Sequence, residues 1–101
     1  MIALESVSLD SIVVAAPDQV SSELGGEVVI LNLKAGVYHG LDATGARIWE
    51  LIQEPRTVGE VRDTLLTEYD VEHDRCERDL LELIANMAAA GLVDVQQKPG
   101  A

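Results

Sequence analysis

The sequence predicts an α+β domain built from a small antiparallel sheet and three helices, and three observations predict it. Runs rich in β-branched residues, separated by Gly-Gly and Lys-Ala-Gly, fill residues 11–41. After Asp42, apolar residues recur at helical spacing. Pro55 and the acidic stretch at residues 70–74 then divide the helical part into three.

A first strand is predicted at residues 11–16 (SIVVAA), ended by the turn signal Pro17-Asp18. Residues 19–24 alternate loosely, and Gly25-Gly26 marks a tight hairpin. The strongest strand is 27–33 (EVVILNL). It places Val28 and Ile30 on one face and Val29, Leu31 and Leu33 on the other, which predicts a central position covered on both sides. Lys34-Ala35-Gly36 forms a second turn before a last strand at residues 37–41. The result is a three-stranded antiparallel meander, with the segment 11–16 ahead of it.

Asp42 is placed as the N-cap of the first helix, which carries Ala46, Ile48, Trp49 and Ile52 at helical spacing until Pro55 stops the run. Thr57-x-x-Glu60 has the form of a capping box and opens a second helix with an apolar stripe of Val58, Val61, Leu65 and Tyr69. The third helix is predicted to start near Asp74, where Asp74-x-x-Glu77 is a weaker version of the same signal. It carries Cys76, Leu80, Leu83, Ile84 and Met87 and ends at Gly91, a good C′ glycine. Residues 92–95 (LVDV) add a short final strand. This order is the layout of a winged-helix-like α+β domain, in which helices two and three have the form of a helix-turn-helix. A single domain over residues 11–95 is expected, with an N-terminal arm at 1–10 and a frayed tail at 96–101.

Composition narrows the function. One cysteine forms no internal disulfide, so an oxidising compartment is not implied. The start, MIALESVSLD, lacks a basic region and is broken by Glu5 and Asp10, which argues against a signal peptide. No apolar run approaches the roughly 20 residues of a membrane span, so no membrane partner is expected and the expected location is cytoplasmic. With 18 acidic against 7 basic residues the net charge is −11, a field that repels phosphate backbones and favours basic or neutral partners. A DNA-binding winged helix is the alternative of another class. Its recognition helix would lie in a region, Asp42 to Glu82, with 12 acids against 5 arginines. Such a helix forfeits the counterion-release term that supplies most affinity, and no nucleic-acid partner is expected.

Nothing in the chain has the spacing of a catalytic or metal site. His39 and His73 stand 34 residues apart with no companion ligands. Cys76 falls in register with Leu80 and Met87, as a core thiol would. Gly25-Gly26 is not part of a phosphate loop, and Asp70, Glu72 and Asp74 lack the glycine and distal Glu of a calcium loop. No metal, no cofactor and no catalysis by this chain are expected.

Peptide recognition remains. The third helix has two apolar stripes, Cys76-Leu80-Leu83-Met87 and Leu81-Ile84-Ala88. One suffices to cover a small core, and the other either meets a helix or lines a groove. The last strand, VYHGL, joins Val and Tyr with a glycine and lets another backbone lie close beside it. A groove between that strand and the third helix suits an extended peptide.

The same residues carry a resemblance. Gly36, Tyr38, Gly40, Leu41, Asp42, Gly45, Ile48 and Trp49, then Cys76 early in helix three and the exit Gly91-Leu92-Val93, resemble the PqqD-like family. Its members are recognition elements for ribosomally made, modified peptides. The similarity is distributed over about residues 10–95 and is closer to the lasso-peptide B1 group than to the PQQ-biosynthesis D proteins. The resemblance implies a winged-helix-like fold of three strands and three helices. It also implies a non-catalytic role: binding a precursor's leader peptide as an added strand and delivering it to a separate cysteine-type leader peptidase, after which a cyclase closes the ring. In the PQQ-type alternative the peptide is presented to a radical SAM enzyme. Mapped onto this chain, the backbone of Val37, Tyr38, His39, Gly40 and Leu41 pairs with the leader. Arg75, Asp79, Leu80, Leu83 and Met87 form the opposite wall, with either apolar stripe able to face it, and Trp49 belongs to the core.

Overall fold

In the computed structural model, residues 7–17 and 19–96 are described. Among them the elements run β1 (Ile12–Ala15), β2 (Gln19–Leu24), β3 (Glu27–Asn32), β4 (Val37–Leu41), α1 (Ala43–Leu51), β5 (Arg56–Thr57), α2 (Val58–Glu68), α3 (His73–Ala89) and β6 (Val93–Gln96). This is an α+β, winged-helix-like arrangement, an antiparallel meander followed by three helices.

The meander has the order β2-β3-β4. Gly25 and Gly26, with φ of 61° and 88°, supply the two left-handed residues that a type I′ hairpin requires. β3 is the central strand, as its apolar character predicts, but it is covered on one face only. Val28, Ile30 and Asn32 are buried, Val29 and Leu31 are half-buried, and Leu33 is 59% exposed. The expectation of cover on both faces is therefore corrected: α1 packs against β3 from one side, and the opposite face is left open.

β1 does not extend the meander. It is the middle strand of a second antiparallel sheet, β5-β1-β6, with Ile12 opposite both Thr57 and Gln96. The final strand predicted at 92–95 is present as β6, whereas the two-residue β5 carries no pattern long enough to read in advance. Residues 7–11 also pack inward. Val7 is buried, and the carbonyls of Ser11 and Leu9 accept from Val58 N and Gly59 N at 3.0 and 2.9 Å. Those are two of the free N–H groups of the first turn of α2. Residues 1–6, 18 and 97–101, which include most of the expected arm and tail, lie outside the described residues.

The helix starts follow their local chemistry. Asp42 caps α1 by accepting from Gly45 N at 2.9 Å. The capping box of α2 is complete: Glu60 N donates to Thr57 Oγ1 at 3.1 Å, and Thr57 N donates to Glu60 Oε1 at 2.8 Å. α3 differs from its expected start. It begins at His73 with Glu72 as N-cap, and no side chain caps it, so the Asp74–Glu77 box does not form. Asp74, inside the first turn, still complements the helix dipole. At the other end Gly91 (φ 78°) closes a Schellman motif, with Leu92 N bonded to Met87 O and Gly91 N to Ala88 O. This reversal feeds the chain into β6.

The core is aliphatic apart from Trp49. Val13, Ile30, Ile52, Val58 and Ile84 are fully buried and join the two sheets to all three helices. One buried polar side chain orients the parts. Asn32 Oδ1 accepts from Lys34 N and Ala35 N at 3.0 and 3.2 Å, and its Nδ2 donates to Ala90 O at 3.3 Å. The β3–β4 turn is thereby tied to the end of α3.

Candidate functional site

β4 is an edge strand, and its register decides which backbone groups face outward. In the two-residue hairpin the closing pair Leu24↔Glu27 exchanges hydrogen bonds, so Val29 and Leu31 also bond toward β2. Val28, Ile30 and Asn32 must then bond toward β4, opposite Leu41, His39 and Val37. Tyr38 and Gly40 are left with their N–H and C=O groups aimed away from the sheet. Their outward amides form a short template for an added strand.

Beside this edge lies a cavity of about 640 Å³. The end of β4 contributes Gly40 and Leu41, and the first turns of α1 contribute Asp42, Thr44, Gly45 and Ile48. The end of α2 and the turn after it add Leu65, Tyr69 and Val71, and α3 closes the cavity with Arg75, Cys76, Asp79, Leu80 and Leu83. Gly45 allows a close approach: a Cβ there would stand 3.1 Å from Leu41 Cβ and 3.4 Å from the capping Asp42 Oδ1, so both would have to shift. The volume suits one or two bulky apolar side chains, each worth roughly 1.5–3 kcal/mol when fully buried. A shallower depression lined by Asp79, Glu82, Leu83 and Asn86 continues along α3.

The polar groups around the cavity are structural in character. Arg75 Nε stands 3.8 Å from Asp79 Oδ2, and both side chains are largely exposed, so their pairing adds little. Arg62 reaches from α2 to Glu77 on α3 at 2.8 Å, which raises the guanidinium pKa. Burial, with Asp79 nearby, pushes the Cys76 thiol up, the opposite of what a nucleophile needs. Among the described residues no group of three His, Cys, Asp or Glu side chains is placed to hold a metal ion, and no helix is long and apolar enough to cross a membrane.

This chain matches the family profile described as Coenzyme PQQ synthesis protein D (PqqD) over residues 27–93, from β3 to the first residue of β6. The chain belongs to the PqqD family. Among solved structures it is similar to "TbiB1 in Complex with the TbiA(beta) Leader Peptide", with 37% identity over 80% of this chain and 94% of that one and a TM-score of 0.75. It shares its fold with "Lasso peptide synthetase B1 complexed with the leader peptide", at 24% identity, coverage of 81% and 96%, and a TM-score of 0.72. No curated protein sequence matches it.

In this PqqD-family domain the residues named from sequence separate into three groups. Gly40, Leu41, Arg75, Asp79, Leu80 and Leu83 meet at the cavity. Val37 and Tyr38 are exposed along β4, and His39, half-buried, stands opposite Ile30 on the core side. Met87 is 3% exposed and belongs to the core. Neither stripe of α3 faces the groove as a unit. At 100° per residue, Arg75, Cys76, Asp79 and Leu83 share one arc, Ile84, Ala85 and Ala88 the next, and Leu80 stands between them. Met87 is drawn into the core because the chain folds back over it through Gly91. The α1 contribution and the Tyr69–Val71 wall escaped sequence reading. The wall's one signal in the sequence is Tyr69 and Val71 alternating with Glu68, Asp70 and Glu72; the structure leaves the two apolar residues 37% and 49% exposed.

Proposed function

We propose that this domain binds the leader region of a ribosomally made precursor peptide, of lasso type, as a strand added to β4, and presents it without catalysis to a separate cysteine-type leader peptidase, with a cyclase acting afterwards. One observation carries the reading: the open edge of β4 ends, at Gly40 and Leu41, in an apolar cavity that α3 closes from the other side. Backbone pairing supplies orientation, and the cavity supplies the anchor that offsets the peptide's lost chain freedom. Membership of the PqqD family and the likeness to TbiB1 with its leader peptide support it. Presentation to a radical SAM enzyme, which the resemblance to the PQQ-biosynthesis D proteins implies, is the second reading. Binding as a DNA-reading winged helix is disfavoured by Asp79 and Glu82 on the exposed side of α3. The proposed setting is the cytoplasm, where such precursors are made.

The test is a titration of fluorescent precursor, intact and leader-deleted. Micromolar or tighter affinity, about −8 kcal/mol, is expected for the intact peptide alone. Equal binding of both forms, or cleavage of the peptide by this protein by itself, would refute the proposal.

A further inference from the structure

The two walls of the groove, β4 and α3, run in opposite directions and are held at their two ends by different means. Gly40 and Leu41, at the end of β4, share the cavity with Arg75, Cys76 and Leu80 toward the start of α3. Val37, at the start of β4, pairs with Asn32, whose side chain reaches Ala90 at the end of α3. At the cavity end the walls are joined through α1 and α2. The Asp42 cap, the Arg62–Glu77 bond and packing around Ile48 and Leu65 hold them there.

Two carboxamides hold the far end. Gln19 and Asn32 are cross-strand partners on β2 and β3, in one row with Val37. Asn32 Nδ2 donates to Ala90 O at 3.3 Å, and Gln19 Nε2 donates to Leu92 O and, at 2.8 Å, to Ala16 O. Ala90 and Leu92 flank Gly91, the residue that turns the chain out of α3. The last carbonyls of a helix lack donors of their own, so the amide pair fixes this exit in place. Asn32 is 9% exposed, and its bonds are shielded from competing water.

We propose that Asn32, with Gln19 beside it, is the positioning residue of the groove: the pair sets the gap between β4 and α3 that the leader fills. The proposal rests on the leader-binding reading above. A strand added to β4 lies about 4.8 Å from it whatever the helix does. Its side chains meet α3 only if the end of that helix is held at the matching distance. Asn32 stands on the central strand, one strand removed from the docking edge, so it acts through the walls rather than by contact. A gap fixed before binding spares the complex the cost of ordering it.

The test uses Asn32→Asp, which keeps the acceptor for Lys34 N and Ala35 N and turns the donor toward Ala90 O into a second acceptor. Gln19→Glu makes the same change toward Leu92 O, and stands in should the first variant lose its circular dichroism. Ile52→Val, a buried change outside the groove, controls for general destabilisation. Titrated with the fluorescent precursor encoded beside this chain, folded Asn32→Asp is expected to bind about ten-fold more weakly than wild type. Ile52→Val is expected to stay within about two-fold. A second readout needs no peptide: nitroxide labels on Val37→Cys and Asn86→Cys, in a Cys76→Ser background, report the gap itself. Their distance distribution is expected to broaden toward longer values in Asn32→Asp. Unchanged affinity in the folded variant, an unchanged distance distribution, or an equal loss in Ile52→Val overturns the proposal and leaves leader binding standing. Wild-type protein that binds no leader removes the functional reading, and this inference with it.

Discussion

Arg47 on α1 holds Glu68 at the end of α2 through two parallel hydrogen bonds, Nε to Oε1 at 2.8 Å and Nη2 to Oε2 at 2.7 Å. The fork fixes the angle between two helices on the side where Ile48 and Leu65 line the cavity. Hydrogen bonding to Arg47 lowers the Glu68 pKa, and bonding to the Thr57 backbone lowers that of Glu60. A carboxyl depressed in the folded state stabilises fully above its unfolded pKa, and that contribution is lost as pH falls through the folded one. The melting temperature should therefore hold down to about pH 5 and drop toward pH 3, with a shallower acid limb in Glu68→Gln. Identical acid limbs in the two proteins would show that the fork contributes nothing.

Proline scanning of β4 should alternate. Tyr38→Pro removes an outward N–H, so leader affinity should fall about ten-fold while most stability is kept. His39→Pro removes an N–H bonded to β3, opposite Ile30, and should cost about 1–3 kcal/mol of stability. Thermal melts and anisotropy on both variants check the assignment, and the reverse pattern would mean the register is off by one.

Aspartate at Leu83 and at Met87 should act on different properties. Leu83 lines the cavity, so Leu83→Asp should leave the fold intact and abolish leader binding. Met87 is buried, and Met87→Asp should destabilise the domain by about 3 kcal/mol or more. Full leader affinity in folded Leu83→Asp would empty the cavity of its assigned role.

Cys76 offers a chemical probe of occupancy. Burial raises its pKa, so iodoacetamide should alkylate it more slowly at neutral pH than an unstructured cysteine peptide. Saturating leader should slow it further, because Cys76 lines the cavity. Equal rates with and without leader would place the peptide elsewhere.

Those assignments depend on features that differ in how readily sequence reveals them. Signals that act within about five residues were legible, the Asp74–Glu77 box excepted: the Asp42 cap, the Thr57–Glu60 box, the Gly25-Gly26 turn and the Gly91 exit each satisfy backbone groups of their own neighbours. Pairing across the chain was not. Ile12 finds partners at Thr57 and Gln96, and no local pattern in a four-residue strand announces either. The allocation of α3 was half legible, since two adjacent apolar stripes are visible from spacing. Which residues turn to the cavity depends on where α1 and the end of α2 stand, and that is settled by tertiary packing around Leu65 and Ile48. The open outer face of β3 was misread for the same reason: apolar residues on both sides of a strand look alike whether the second cover is the domain itself or another molecule.

β4 has five residues between the turn at Gly36 and the cap at Asp42, a run of about 17 Å. Only Tyr38 and Gly40 turn their amides outward. With a leader docked there, the domain reads a word about five residues long, spelled more in shape than in letters. Text before and after that word is free to change. On the proposed reading, a peptide of any other composition would become cargo once the word is fused to it, and the short edge would make the leader a portable address label.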